Sequence, residues 1–80
     1  MKTTVLLFGI ATELVGNSSI NVELPTNTTV NYFKKLLIEQ HPTLKKMSAY
    51  AIAINEIYAS DETMINESDV IAIIPPVSGG

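Results

Sequence analysis

Eighty residues, 46% of them apolar and 16% charged, suit one folded domain and leave no room for two. A net charge of −3 with no Arg argues against a nucleic-acid binder, which needs a basic footprint. With no Cys there is no disulfide framework, thiol nucleophile or Cys-based metal site, and no apolar run approaches the ~20 residues that cross a membrane.

Thr4–Ile10 reads as a strand that is apolar nearly throughout, and so central to a sheet. Gly9 within it signals a bulge or a close backbone approach. Ala11–Val15 forms a short helical turn ended by Gly16-Asn17. Ser19–Leu24 alternates polar and apolar residues, the pattern of a half-buried strand, and Gly16-Asn17-Ser18 folds it back on the first. Pro25 stops that strand, and Thr28 or Thr29 caps a helix. Val30, Phe33, Leu36 and Leu37 give this helix one apolar face, and His41-Pro42 ends it. Lys34, Lys35, Lys45 and Lys46 lie on or just past it, as a solvated face would.

Ala49–Ile54 reads as a third strand, Asn55-Glu56 as a tight turn and Ile57–Ala59 as a short fourth strand. Ser60–Asn66 is a loop, and Glu67-Ser68-Asp69 turns into a fifth strand, Val70–Ile74. The order β-β-α-β-β-β gives an α+β fold: a mixed five-stranded sheet crossed by one main helix. Placing the two most apolar strands, first and last, side by side in the centre yields the β-grasp, or ubiquitin-like, arrangement. Residues 1–74 form the domain, and residues 75–80 an extended arm.

Side-chain chemistry is sparse. The one His, His41, sits at a helix end and reads as a capping or surface residue. Asp61-Glu62 and Glu67-x-Asp69 lack the count and spacing of a Ca²⁺ loop. No phosphate-cradling glycine loop, serine elbow or metal-ligand set is present, so no bound cofactor and no metal are expected. No signal segment precedes the first strand, which suits a cytoplasmic protein.

The chemistry lies in the arm Pro75-Pro76-Val77-Ser78-Gly79-Gly80. Glycines without Cβ atoms thread channels too narrow for other residues. The two prolines hold the root of the arm extended and lower the entropy lost on insertion. At ~3.3–3.6 Å per residue, the six residues reach about 20 Å into a partner's pocket. A terminal carboxylate is a poor electrophile and must be activated, by adenylation with ATP, before a nucleophile takes the acyl group. An amine nucleophile gives a conjugated protein tag. Sulfide or a persulfide gives a thiocarboxylate.

Three segments together resemble one family. Phe8-Gly9-Ile10-Ala11-Thr12-Glu13-Leu14-Val15-Gly16, Ala51–Asn55, and above all Asp69–Gly80 with its Pro-Pro-Val-Ser-Gly-Gly ending are similar to the molybdopterin synthase small subunit, a sulfur carrier. The resemblance implies a β-grasp fold and an arm adenylated at Gly80 by an E1-like adenylyltransferase, then converted to a thiocarboxylate. It implies a large subunit that receives the arm (Pro75, Pro76, Val77, Ser78 and Gly79 inserting behind Gly80) in a heterotetramer of two large and two small subunits. Sulfur then passes to cyclic pyranopterin monophosphate. It also implies docking through Phe8, Tyr58 and Ile74. Thr12 stands where the family often has Arg, and Glu67-Ser68-Asp69 where it has Asp-Gly-Asp. The residues leave open a carrier for thiamin thiazole or tRNA thiolation, a ubiquitin-like modifier, and an interaction domain with an inert arm.

Overall fold

The computed structural model describes residues 1–47 and 49–75. The elements are β1 (Lys2–Leu7), α1 (Ile10–Val15), β2 (Ser19–Glu23), β3 (Thr28–Thr29) and α2 (Val30–Gln40). After a 3-10 turn (Pro42–Lys46) come β4 (Ala51–Ile54), β5 (Ile57–Tyr58), β6 (Met64–Ile65) and β7 (Val70–Ile74). Five strands form one mixed sheet in the order β2-β1-β7-β4-β5, and β3 pairs with β6 beside it. The first and last strands are central neighbours, as their composition predicts. They run parallel, with Leu7 opposite Ile73. The other pairs in the large sheet, β1–β2, β4–β7 and β4–β5, are antiparallel.

Helix α2 starts where the sequence places a cap. The Thr29 hydroxyl accepts the Tyr32 N–H at 3.3 Å, satisfying one of the unpaired amides of the first turn. The Val30 and Asn31 amides donate to the Thr63 and Asp61 carbonyls at 3.0 Å each. Val30, Phe33 and Leu37 fall on one face of this helix and are wholly buried. Leu36, expected on the same face, is half-buried at its margin. Against them stand Val5 and Leu7 of β1, Val22 of β2, Ile52 of β4, and Ile71 and Ile73 of β7, all buried. These alternate positions share one side of the sheet because side chains alternate along a strand. Each such aliphatic or aromatic side chain contributes about 1.5–3 kcal/mol through burial. Leu44 of the 3-10 turn closes the same core.

The differences from the sequence reading are local. The first strand ends at Leu7, before Phe8, because Gly9 turns the chain with φ +53°. The third strand begins at Ala51, not Ala49, and Ala59 lies outside β5. The segment read as the loop Ser60–Asn66 carries β6, and β3 precedes α2. His41 caps the C-terminus of α2, its N–H donating to the Leu37 carbonyl at 2.8 Å.

Candidate functional site

Helix α2 covers one side of the sheet, and the other side is open. Register assigns the residues that face outward. Leu6 lies opposite Ala72, Ala72 opposite Ala53, and Ala53 opposite Tyr58, so these four form a row across β1, β7, β4 and β5. The two alanines are short, and their taller neighbours rise around them. The result is an open hollow of about 600 Å³ lined by Leu6, Phe8, Ala53, Asn55, Glu56, Tyr58, Val70, Ala72 and Ile74. Its lining is mostly apolar, yet Tyr58 is 71% and Phe8 49% exposed. An apolar concavity of this kind on a small protein marks an interaction surface.

Phe8, Tyr58 and Ile74, the three positions expected to dock a partner, are brought together in this hollow. Leu6, Ala53, Val70 and Ala72, which no expectation from the sequence covers, join them in the lining. Their signal was the two-residue period within runs that are apolar on both faces.

One end of the hollow lies where Pro75 follows β7. Because β1 and β7 are parallel, their C-terminal ends emerge on the same edge of the sheet. Phe8 follows β1 there as Ile74 and Pro75 complete and follow β7. Gly9 takes φ +53° and ψ −131°, a conformation suited to glycine, and a Cβ on it would stand 3.4 Å from Pro75 Cγ. Gly9 lies past the end of β1 and not within a strand, and the atom its missing Cβ would approach belongs to the ring of Pro75, the first residue of the expected arm. The Thr12 hydroxyl donates to the Leu7 carbonyl at 2.9 Å and pins α1 against the end of β1. Of the expected arm residues, Pro75 is described and half-buried; Pro76, Val77, Ser78, Gly79 and Gly80 lie outside the described residues.

The opposite end of the hollow is a tight β4–β5 turn. Asn55 and Glu56 both have positive φ, 51° and 73°. Such a two-residue turn matches the twist of the flanking strands and favours Asn-Gly. Asn55 is tied down on three sides. Its backbone N–H donates to the Val70 carbonyl at 2.9 Å, and its Oδ1 accepts the Val70 N–H at 3.0 Å. Its Nδ2 donates to Asp69 Oδ1 at 2.8 Å, while Asp69 Oδ2 accepts the Asn66 N–H at 2.7 Å. The Glu67-Ser68-Asp69 turn therefore keeps its last carboxylate in a structural role.

The helical side holds different chemistry. Lys34 Nζ meets Asp61 Oδ1 at 2.8 Å and lies 5.8 Å from the centre of the Tyr50 ring. Burial pushes the Tyr50 phenol above its ordinary range, with Lys34 opposing the shift. Among the described residues, no group of three or more His, Asp and Glu is placed to hold a metal ion. No helix among them is long and apolar enough to cross a membrane.

Comparison with known proteins agrees with this geometry. The family model described as the ThiS family matches residues 5–80. A molybdopterin synthase sulfur carrier subunit from Arabidopsis thaliana is 36% identical over 81 residues, spanning all of this chain and 84% of that protein. Among solved structures, SAMP1 from Haloferax volcanii matches with a TM-score of 0.87 at 24% identity, both chains covered in full. One chain of the complex of subunits 1 and 2 of molybdopterin-converting factor from Helicobacter pylori 26695 matches with a TM-score of 0.70 at 23% identity, again with both chains covered in full. At those identities the two structures establish the shared β-grasp fold. The whole-chain match to the family model and the Arabidopsis relative establish descent: the chain belongs to the ThiS family, in the company of the molybdopterin synthase sulfur carrier subunits.

Proposed function

We propose that this protein is the cytoplasmic sulfur carrier subunit of a molybdopterin synthase, with residues 1–74 as the carrying domain and 75–80 as the arm. An E1-like enzyme adenylates the Gly80 carboxylate with ATP, releasing pyrophosphate. Attack by sulfide at the acyl carbon forms the C–S bond, breaks the C–O bond to AMP and leaves a thiocarboxylate. The apolar hollow then docks the large subunit through Phe8, Tyr58 and Ile74, while Pro75, Pro76, Val77, Ser78 and Gly79 carry Gly80 into its active site. Sulfur passes there to cyclic pyranopterin monophosphate. The dithiolene product needs two sulfurs, so two carrier loads are consumed, in an assembly of two large and two small subunits.

The observation that carries this reading is the whole-chain similarity to named sulfur carriers at 36% identity. The fold supports it physically. The apolar hollow reaches the sheet edge where Phe8 and Pro75 meet, so a partner seated in the hollow would lie beside the point where residues 76–80 follow. The test is reconstitution with the large subunit, the activating enzyme, ATP, a sulfide source and cyclic pyranopterin monophosphate. Molybdopterin should form with the full chain and fail to form when Gly79 and Gly80 are deleted. Product formation by the truncated chain would overturn the reading. Stable adducts on lysines of other proteins, with no product, would point to a modifier instead.

A further inference from the structure

The β4–β5 turn contains a residue that the fold does not ask for. Three residues other than glycine have positive φ among those described: Asn27, Asn55 and Glu56. Asn tolerates this region because its short polar side chain bonds locally, and Asn55 does so with Val70 and Asp69. Glu has no such relief, and the second position of this turn is where Gly is preferred. A residue held in a sparsely populated backbone region points to a role for its side chain. Glu56 lines the hollow at the end away from the arm. No lysine lines that hollow, and the single salt bridge among the described residues, Lys34–Asp61, lies elsewhere. The hollow therefore presents an apolar floor and one carboxylate with no partner among the described residues, on a turn that Asn55 ties to Val70 and Asp69.

Building on the sulfur-carrier reading, we propose that Glu56 is a partner-recognition residue. The large subunit seats an apolar side chain over Ala53 and Ala72 and sets a Lys or Arg beside it, against the Glu56 carboxylate. The apolar contact supplies most of the affinity. The charge, at the end of the hollow opposite Pro75, fixes orientation, so that the arm enters the partner and not solvent. The overall charge of −3 suits a partner whose docking face is basic.

The experiment measures binding of the full-length chain to the large subunit across ionic strength, with the wild type and two variants. Glu56→Gln removes the charge and keeps the shape. It should weaken binding about three- to fivefold at low salt, mainly by slower association, and flatten the salt dependence. Glu56→Gly should weaken binding as much while matching or exceeding the wild-type melting temperature, since Gly relieves the turn. Loss of binding with no loss of stability separates recognition from folding. Wild-type affinity and salt slope in both variants would overturn the inference and leave the carrier reading standing. So would a large drop in the Glu56→Gly melting temperature, because the side chain would then be kept for the fold. No binding of the wild type to the large subunit would overturn both.

Discussion

Replacing Gly9 by Ala tests how the domain holds Pro75, where the proposed arm begins. At φ +53° and ψ −131° an L-residue is strained, at a cost of about 1–3 kcal/mol. The added methyl would also meet Pro75 Cγ at 3.4 Å, a bare contact that leaves the ring no room to move inward. Lower entropy of the unfolded chain returns about 0.4–1 kcal/mol. The net loss is then centred on about 1.3 kcal/mol, from a total of about 4–12 kcal/mol for a domain of this length. At about 4–8 °C per kcal/mol, the melting temperature should fall by roughly 5–10 °C. Gly16 supplies the control. It caps α1 at φ 89° and ψ 10°, the left-handed conformation, with nothing within 4 Å of a built Cβ. Its replacement by Ala should cost about 0.5 kcal/mol, roughly 2–4 °C. Thermal unfolding followed by circular dichroism reads both, and sulfur transfer at a temperature where both variants are folded reads the arm. Gly9→Ala should slow transfer more than Gly16→Ala, since only the residue at position 9 touches Pro75. A Gly9→Ala chain that melts within about 2 °C of wild type would refute the strain argument.

Thr3 is 1% exposed, and its hydroxyl has no hydrogen-bond partner among the described residues; Thr3→Val should raise stability by about 1 kcal/mol, seen as a higher urea midpoint at unchanged slope. Asn55→Ala removes two side-chain hydrogen bonds and places Ala at φ 51°. It should cost about 2–3 kcal/mol by the same measurement, and a loss under about 0.5 kcal/mol would show that the turn holds itself. Tyr58→Glu, at a site 71% exposed, should leave the melting temperature within about 3 °C and weaken binding to the large subunit at least tenfold. A large thermal loss in that variant would place Tyr58 in the core.

Most of the fold was legible because its elements are locally consistent. Thr29, the Val30–Phe33–Leu37 spacing and His41-Pro42 mark the main helix at both ends. The strands Ser19–Glu23 and Val70–Ile74 follow their patterns within a residue. What escaped was short or non-local. β3 and β6 have two residues each, too few to show a period, and they exist because Thr28 meets Ile65 across the fold. Tyr50, β-like by composition, lies outside β4 and beneath Lys34. The open face was hidden for a different reason. Leu6, Ala72 and Ala53 make their strands apolar on both sides, which reads as a sheet covered twice. A single helix covers it once, and the remainder is the candidate site. The strain at Glu56 is a backbone property that no residue pattern displayed.

Sulfur carried at Gly80 would be visible in the intact mass of the chain. The full-length protein is incubated with ATP, the activating enzyme and a sulfide source, and weighed without delay, before a thiocarboxylate can hydrolyse. The expected result is a gain equal to the difference between one sulfur and one oxygen atom, confined to the C-terminal peptide and lost when Gly79 and Gly80 are deleted. A chain that stays at its unmodified mass while the same enzyme loads a known carrier would contradict it.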